Sequence, residues 1–355
     1  MQPGFRKRLV DWYAADARSL PWRSKPAPYR VWVSEIMLQQ TRVEAVRDYF
    51  KRFMKRFPSL RSLAGAELDD VLEAWSGLGY YRRARMLHAA ALQIAERHNG
   101  RFPRERADVL ALPGVGKYTA GAILSIAFNQ PEPIVDGNVE RVFARLQRIP
   151  GDVKAKAGSE RVWQLATGHV QRGADEGHSP STLNQALMEL GALVCTPQNP
   201  NCEACPVRRD CGAHRHGETG RYPVLPKRAR AKARRYLFAA ITDEAGRLLL
   251  VRRPEGDKGS LLPGGMWELP HVEWAGSKEE AVGRLAENLG GEIATMGKPL
   301  ARNHAIMNFK LTLNVQRCRA RQALNPLAEH RWLPPAAAEN AAIASATRKL
   351  LRAIS

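Results

Sequence analysis

The sequence predicts two domains, a helical domain followed by a smaller α+β domain. Its 355 residues are more than one ordinary hydrophobic core organises, and 44% of them are hydrophobic, which is enough for two cores. Up to residue 213, apolar residues recur at spacings of three and four, the pattern of amphipathic helices. After residue 235 the pattern changes to short apolar runs bounded by turn residues, which indicates strands.

Periodic stretches separated by proline and glycine define the helical domain. They cover residues 9–13, 31–46, 71–75, 86–94, 119–128, 139–146 and 183–194. In the second domain a helix is predicted at 279–289, and three strands are predicted at 237–242, 247–252 and 311–315. The first two strands are joined by a turn at 243–246.

Residues 214–235 have a different composition from either domain. They hold eight Lys and Arg residues against one acid, Glu218, together with Pro223 and Pro226. This composition predicts a linker, and both contact with nucleic-acid phosphates and a solvated hinge fit it.

The charge of the chain favours a polyanionic partner. The net charge is +20, from 55 Lys and Arg against 35 Asp and Glu, and such an excess attracts nucleic acid. No apolar run reaches the ~20 residues that cross a bilayer, and residues 1–8 lead into an amphipathic stretch rather than an apolar signal segment. We expect a cytoplasmic, nucleoid-associated protein without a membrane partner.

The cysteines form a metal-binding pattern. Cys195, Cys202, Cys205 and Cys211 lie within seventeen residues, whereas Cys318 stands alone and is expected in the core. Four thiolates can hold zinc or an iron–sulfur cluster. The spacing has one Cys-x2-Cys pair, whereas zinc ribbons have two.

A glycine-rich turn, LPGVGKYTA at 112–120, connects two predicted helices. Gly114 and Gly116 leave the backbone N–H groups accessible, so a phosphate oxygen can approach the start of the next helix beside Lys117. An ordinary helix connection has a similar composition, but the charge balance favours DNA.

Two carboxylates are candidates for acid–base chemistry. Glu35 lies on a helix among Trp32, Ile36 and Met37, where desolvation would raise its pKa and suit a general acid. Asp136 follows a strand-like segment and precedes a helix, so it could equally be a helix N-cap.

These segments together resemble the adenine DNA glycosylases of the MutY type, within the helix-hairpin-helix iron–sulfur superfamily. The matching strings are LPWR at 20–23, YRVWVSEIMLQQT at 29–41, GLGYYR at 77–82, the turn at 112–120, IVDGNV at 134–139 and NQALMELGA at 184–192. The cysteine spacing x6, x2, x5 also resembles the [4Fe–4S] loop of this superfamily.

The resemblance implies a domain plan. An all-α catalytic domain at 1–213 would contain a six-helix barrel at about 22–132 and an iron–sulfur subdomain from 1–21 and 133–213. The basic linker at 214–235 would lead to an α+β Nudix-like domain at 236–355. The cofactor would be a [4Fe–4S] cluster on the four clustered cysteines.

The resemblance also implies a mechanism. Glu35 would protonate adenine N7, and Asp136 would stabilise the oxocarbenium-like sugar, electrostatically or as a nucleophile. Tyr118 and Asn138 would align these groups and water. Because the lyases of the superfamily have a lysine where this chain has Tyr118, a monofunctional enzyme is expected.

DNA recognition would involve further residues of the motif strings. The pocket for the extruded base would consist of Arg18, Leu20, Trp22, Arg23 and Gln185. Gln40 and Tyr80 would be wedged into the duplex, and Gly114, Gly116 and Lys117 would contact phosphates.

The C-terminal domain departs from its own pattern. GGMWELP at 264–270 resembles a Nudix start, but the metal-binding glutamates of Nudix hydrolases align with Arg284, Glu287 and Asn288, so only Glu287 remains. The domain is expected to recognise 8-oxoguanine rather than to hydrolyse nucleotides. Ile306, Met307 and Asn308 align with the Phe-Ser-His loop that the family uses for this recognition.

The expected partner is duplex DNA with 8-oxoguanine:adenine or guanine:adenine mispairs, bound by a monomer. Three rival hypotheses remain. A pyrimidine-specific lyase would form a borohydride-trapped adduct, a non-enzymatic iron–sulfur regulator would release no adenine, and a nucleotide pyrophosphatase would need Mg²⁺.

Overall fold

The computed structural model describes residues 4–226, 230–256, 260–262, 264–306 and 308–354, without the side chains of residues 339 and 340. These residues form two compact units. The helical unit comprises Met1–Ala66 and Arg82–Lys227, and the sheet unit comprises Glu67–Tyr81 and Arg228–Ser355. No described helix is long and apolar enough to span a membrane.

The α-helices of the described residues are numbered in chain order. They are α1 Phe5–Asp16, α2 Pro28–Leu38, α3 Val43–Arg56, α4 Leu60–Ala64, α5 Leu68–Ala74, α6 Arg82–Arg97, α7 Arg106–Leu110, α8 Lys117–Ala122, α9 Gly137–Gln147, α10 Lys156–Asp175, α11 Pro180–Leu193, α12 Gly212–Arg215, α13 Lys278–Asn288, α14 Pro335–Asn340 and α15 Ser345–Ile354. A π-helical turn, Ile123–Ala127, extends α8, and short 3₁₀ turns occupy Arg208–Asp210 and Thr219–Arg221.

The strands all belong to the sheet unit. They are β1 Lys232–Thr242, β2 Leu248–Arg252, β3 Trp267–Glu268, β4 His271–Glu273, β5 Ile293–Ile306, β6 Phe309–Ala320 and β7 Glu329–Leu333. Their order is β3-β2-β1-β6-β5, with β4 also paired to β1 and β7 to β2. β1 and β6 are parallel, whereas the other pairs are antiparallel.

The stretch predicted as one helix at 31–46 is two helices in the structure. α2 ends at Leu38 and α3 begins at Val43, and between them Gln40 has φ 57°. A residue in this left-handed conformation cannot continue an α-helix. The guanidinium of Arg83 donates to the carbonyls of Ile36 and Met37 at 2.9 and 2.8 Å, so it satisfies groups that the end of α2 leaves open.

α10 was not among the periodic stretches identified in the sequence, although it has 20 residues. Its buried face consists of Gly158, Val162, Ala166, His169, Val170 and Gly173. Only two of these are large aliphatic residues, so the hydrophobic periodicity that reveals a helix is weak here.

β1 begins at Lys232, inside the segment predicted as a linker. The strand pairs in parallel with β6 from Lys232 opposite Phe309 to Thr242 opposite Arg319. Backbone pairing along this whole length orders residues whose basic composition alone suggested a hinge.

β5 was missed by the sequence analysis because most of its fourteen residues are exposed. An exposed strand lacks the alternation of buried and exposed residues on which prediction depends. The predicted strands around β1, β2 and β6 and the predicted helix α13 are all present. Leu237, Ile241, Leu249 and Leu285 belong to the core that β1, β2 and α13 share.

Candidate active site and cluster loop

One cavity of ≈ 390 Å³ in the helical unit brings together ten of the residues selected from the sequence. They are Arg18, Leu20, Trp22, Arg23, Glu35, Gln40, Tyr118, Asp136, Asn138 and Gln185. They come from the α1–α2 loop, α2 and the turn after it, α8, the start of α9, and α11. Arg18 and Gln185 both line this cavity, although they are 167 positions apart in the chain.

Glu35 lies on α2 with only 3% of its surface exposed. Its neighbours Trp32, Ile36 and Met37 are also buried. Burial raises the pKa of Glu35 to about 7, with a further rise from the charge of Asp136, while the hydroxyl of Tyr118 donates to Oε2 of Glu35 and opposes that rise. A carboxyl group with this pKa can hold and release a proton near neutral pH.

Asp136 is both the N-cap of α9 and part of the cavity wall. Its Oδ1 accepts from the backbone N–H groups of Asn138 at 3.0 Å and Val139 at 2.7 Å, and its Oδ2 accepts from the side-chain amide of Asn138 at 2.8 Å. Burial raises the pKa of Asp136, and these three donors oppose the rise. The capping and functional hypotheses for this residue are therefore compatible.

The wall of the cavity includes a carboxylate that the sequence analysis did not select. Glu189 on α11 is 1% exposed and accepts hydrogen bonds from both Arg18 and Arg23. Burial acts to raise the pKa of Glu189, but the hydrogen bonds from the two arginines outweigh it and hold the pKa at about 2. Its position within NQALMELGA was the available signal, since an acid in an apolar helix needs a partner.

The predicted hairpin connects α7 to α8. Gly114 has φ 76°, and a Cβ there would lie 2.7 Å from Cβ of Met86, so both the turn and the packing require glycine. Gly116 precedes α8, and a Cβ at this position would meet no protein atom within 4 Å. Tyr118 lines the cavity, whereas Lys117 is exposed at the first position of α8.

Three other selected residues lie in the sheet unit. Tyr80 is 50% exposed with φ 50°, in a turn that contains Gly77 and Gly79. Ile306 is the last residue of β5 and pairs with Phe309, the first residue of β6. The Asn308 carbonyl accepts from the N–H of Lys232 at 2.8 Å. Met307 lies outside the described residues, as do Lys227 and Arg228 of the predicted linker.

The four clustered cysteines line a common cavity of ≈ 30 Å³ next to α9. Within the described residues, no group of three or more His, Cys, Asp or Glu side chains is placed to hold a single metal ion. Four cysteine thiolates around one shared space are a ligand set that suits an iron–sulfur cluster or a structural zinc ion.

Two arginines of α9 hold the cysteine loop. Arg145 is 2% exposed and donates to Sγ of Cys195 at 3.3 Å and to the carbonyls of Thr196, Pro197, Thr219 and Tyr222 at 2.7–3.1 Å. Arg141 donates to the carbonyl of Cys195 at 2.6 Å and to Oδ1 of Asn138 at 2.8 Å. The same helix that Asp136 caps is thus bonded to the first cysteine of the loop.

Comparison with known proteins matches three segments to families. Residues 33–166 match the family described as "HhH-GPD superfamily base excision DNA repair protein", residues 195–211 the "Iron-sulfur binding domain of endonuclease III", and residues 237–353 the "NUDIX domain". Adenine DNA glycosylase of Rattus norvegicus is 36% identical over 98% of this chain and 77% of its own length. The Homo sapiens protein of the same name is 36% identical over 98% of this chain and 73% of its own length.

The chain belongs to the adenine DNA glycosylases. Its fold agrees with this, since a thermostable thymine-DNA glycosylase superposes with a TM-score of 0.53 and 27% identity, over 60% of this chain and 95% of that structure. The predicted fold class is confirmed: a helix-hairpin-helix glycosylase domain is followed by a Nudix-like domain. The chain is an enzyme of base excision repair, so the hypothesis of a non-enzymatic regulator is wrong.

The predicted [4Fe–4S] cofactor is confirmed by the family match at 195–211, and the loop fits it. Burial raises the pKa of the Cys205 thiol to about 12 and also raises those of Cys202 and Cys211. Iron coordination stabilises the thiolate form, and Nη1 of Arg145 donates to Sγ of Cys195 at 3.3 Å.

The Nudix-like helix is α13, and its Arg284 has a structural partner. The guanidinium of Arg284 donates to the carbonyl of Glu273 at 2.6 Å. Arg284 is one of the positions that the sequence analysis aligned with a metal-binding glutamate of Nudix hydrolases.

Proposed function

We propose that this glycosylase releases adenine mispaired with 8-oxoguanine or guanine in duplex DNA, with Glu35 as general acid and Asp136 as the group that stabilises the sugar cation. The observation that carries the proposal is the pair of carboxylates in one cavity, one bonded to Tyr118 and the other capped by N–H donors. We further propose that the enzyme acts as a monomer.

The proton transfer depends on the environment of Glu35. Adenine is a poor leaving group until N7 is protonated, and a buried carboxyl group with a pKa of about 7 carries a proton in roughly half the molecules at neutral pH. Tyr118 keeps Oε2 of Glu35 oriented, because its hydroxyl donates to that oxygen.

The sugar cation would be stabilised by Asp136. Its three hydrogen-bond donors favour the carboxylate form, which can face a developing oxocarbenium either as a counter-charge or as a transient nucleophile. Asn138 supplies two of the three donors and thereby holds the carboxylate in place. Since Tyr118 is a phenol, the hairpin position offers no amine for a lyase reaction.

The remaining predicted residues have roles in DNA recognition. The extruded adenine would fill the cavity beside Trp22 and Gln185. Gln40 and Tyr80 would insert into the base stack of the duplex at the position that the adenine has left. The open space at Gly116 supports a phosphate contact beside Lys117. Ile306 and Asn308 would contact the opposite base, together with Met307.

Single-turnover adenine release tests the chemistry. We expect release from 8-oxoguanine:adenine and guanine:adenine duplexes but not from thymine:adenine, and loss of release in Asp136→Asn. Asparagine caps helices as well as aspartate does, so α9 should remain folded. Asp152→Asn is the matched control, because Asp152 also accepts from a backbone N–H, that of Lys154 at 2.8 Å, outside the cavity. Undiminished release by Asp136→Asn would refute the assigned role.

The monofunctional and lesion-recognition parts need separate measurements. Strand cleavage without added base, or a borohydride-trapped adduct, would contradict the absence of lyase chemistry. For Asn308→Ala we expect the ratio of release rates opposite 8-oxoguanine and guanine to fall toward one. An unchanged ratio would mean that Asn308 does not read the opposite base.

A further inference from the structure

Glu189 is the one carboxylate that joins both arginines of the pocket. Its Oε1 accepts from Nε of Arg18 at 2.8 Å and from the backbone N–H of Arg18 at 2.9 Å. Its Oε2 accepts from Nη2 of Arg18 and from Nη2 of Arg23, each at 2.8 Å. All four bonds start from residues on the α1–α2 loop, residues 17–27, and end on α11.

This loop presents Leu20 and Trp22 to the cavity but contains no helix or strand. Its own backbone bonds are those of turns, such as the N–H of Arg23 to the carbonyl of Leu20 at 2.9 Å, so tertiary contacts are needed to fix its position against α11. Arg18 and Arg23 stand on either side of Leu20 and Trp22, and Nη1 of Arg23 also donates to the carbonyl of Arg18 at 3.1 Å. The bonds to Glu189 consequently hold both ends of the segment that carries the two apolar pocket residues.

The same pairing controls the charge of the cavity. The groups that act on Glu35 are Tyr118 on α8, Asp136 at the start of α9, and Arg23 in the loop. The positive charge of Arg23 lowers the pKa of Glu35. With Glu189 ionised, one of the two guanidinium charges is offset. Without it the charge of Arg23 would act undiminished on Glu35, in a site with little water to screen it.

We propose that Glu189 is a positioning residue for base excision, which holds Arg18 and Arg23 against the pocket and offsets the charge of Arg23 beside Glu35. The inference rests on the proposed role of Glu35 as general acid. A purely structural role would require only the ion pairs and would leave the protonation of Glu35 unchanged.

The test measures the protonation of Glu35 directly as well as catalysis. The titration of Glu35 is followed by carbon NMR of the ¹³C-glutamate-labelled, cluster-loaded enzyme. The resonance of Glu35 is identified by its absence from the spectrum of the Glu35→Gln variant. Single-turnover adenine release is measured over the same pH range. Glu189→Gln removes the charge and keeps the shape, whereas Glu189→Asp keeps the charge. Glu176→Gln is the control, since Glu176 pairs with Arg6 at 2.7 Å in the same unit but does not line the cavity.

For Glu189→Gln we expect the midpoint of Glu35 to fall by at least roughly half a pH unit and release at neutral pH to slow by about tenfold to a hundredfold. The high-pH limb of the rate profile should move down with that midpoint. Glu189→Asp should restore the midpoint even if its rate stays low, and Glu176→Gln should match wild type. An unmoved midpoint in Glu189→Gln would overturn the proposal.

Two further outcomes remain distinguishable. If the wild type releases no adenine, the proposed function fails, while the NMR midpoint still tests the link between Glu189 and Glu35. If Glu189→Gln does not fold, Arg23→Gln replaces it. Loss of that positive charge should raise the midpoint of Glu35, and no rise would overturn the proposal.

Discussion

At the scale of single residues, two carboxylates in one cavity differ because their surroundings differ. Burial among apolar neighbours raises the pKa of Glu35 to about 7, although the hydroxyl of Tyr118 opposes that rise. Burial also raises the pKa of Asp136, but three N–H donors oppose that rise and favour the charged form. Environments of this kind divide acid and base roles between chemically similar groups.

Glu35→Gln should remove the proton donor while it preserves the side-chain shape. We expect the single-turnover rate of adenine release to fall by about 10²–10⁴-fold, with binding to the mispaired duplex retained. Glu96→Gln, an exposed substitution on α6, should leave the rate unchanged. Comparable rates for Glu35→Gln and wild type would exclude Glu35 as the acid.

Tyr118→Phe should shift the pH dependence upward. The hydroxyl of Tyr118 lowers the pKa of Glu35, so its loss should raise that pKa above about 7. Because the proposed mechanism requires protonated Glu35, release should persist to higher pH, although the residual rate should be lower. Tyr29→Phe is the control, since its hydroxyl donates to the carbonyl of Phe57 at 2.8 Å. If the high-pH decline of the release rate moved to lower pH in Tyr118→Phe, the role of the Tyr118 hydroxyl in lowering the pKa of Glu35 would be contradicted.

At the scale of elements, α9 links the candidate catalytic residues to the cluster loop. Its first turn is capped by Asp136, Arg141 in its second turn bonds both Asn138 and Cys195, and Arg145 one turn later bonds five groups around the loop. The buried arginines 141 and 145 are four positions apart, so they lie on one face of the helix.

Arg145→Gln should destabilise the loop and release iron. Each buried carbonyl left without a donor costs about 1–3 kcal/mol, so we expect the free energy of unfolding to fall by about 3 kcal/mol or more. Iron content per chain and thermal melting measure the effect. Arg97→Gln, an exposed change at the end of α6, serves as control. Full iron content and unchanged melting in Arg145→Gln would show that the loop does not need these bonds.

At the scale of the whole molecule, the net charge of +20 predicts salt-sensitive DNA binding. The logarithm of the binding constant for duplex DNA should decrease linearly as the logarithm of the salt concentration increases. Lys117→Gln should reduce the magnitude of that slope by about one, as expected for the loss of one phosphate contact. Fluorescence anisotropy titrations at several salt concentrations measure this slope. An unchanged slope in Lys117→Gln would show that Lys117 does not contact a DNA phosphate.

The fold was predictable where a local pattern is strong. Periodic apolar spacing revealed α9 and α11, and the Ser277 capping box agrees with the predicted start of α13. The pattern failed for α10, whose buried face includes glycine and alanine, and for β5, which is mostly exposed. Prediction from periodicity needs large apolar side chains on one face, and neither element supplies them.

The candidate site divides in the same way. Sequence strings located Glu35, Tyr118 and Asp136, since each lies in a short motif whose chemistry is local. They did not reveal Glu189 or Arg145, because burial and pairing with distant residues give these side chains their roles. A glutamate in an apolar helix and an arginine pair at four-residue spacing were visible, but their partners were not.

The sequence by itself determined the family and the iron–sulfur cofactor, and it supplied the candidate cysteine ligands and the two candidate carboxylates, since these depend on residue type and spacing along the chain. Only the tertiary structure decided that the loop at residues 17–27 reaches α11 and that α9 joins Asn138 to Cys195. The physical reason is that a buried charge is stable only beside a partner. That partner is chosen by packing between segments far apart in sequence.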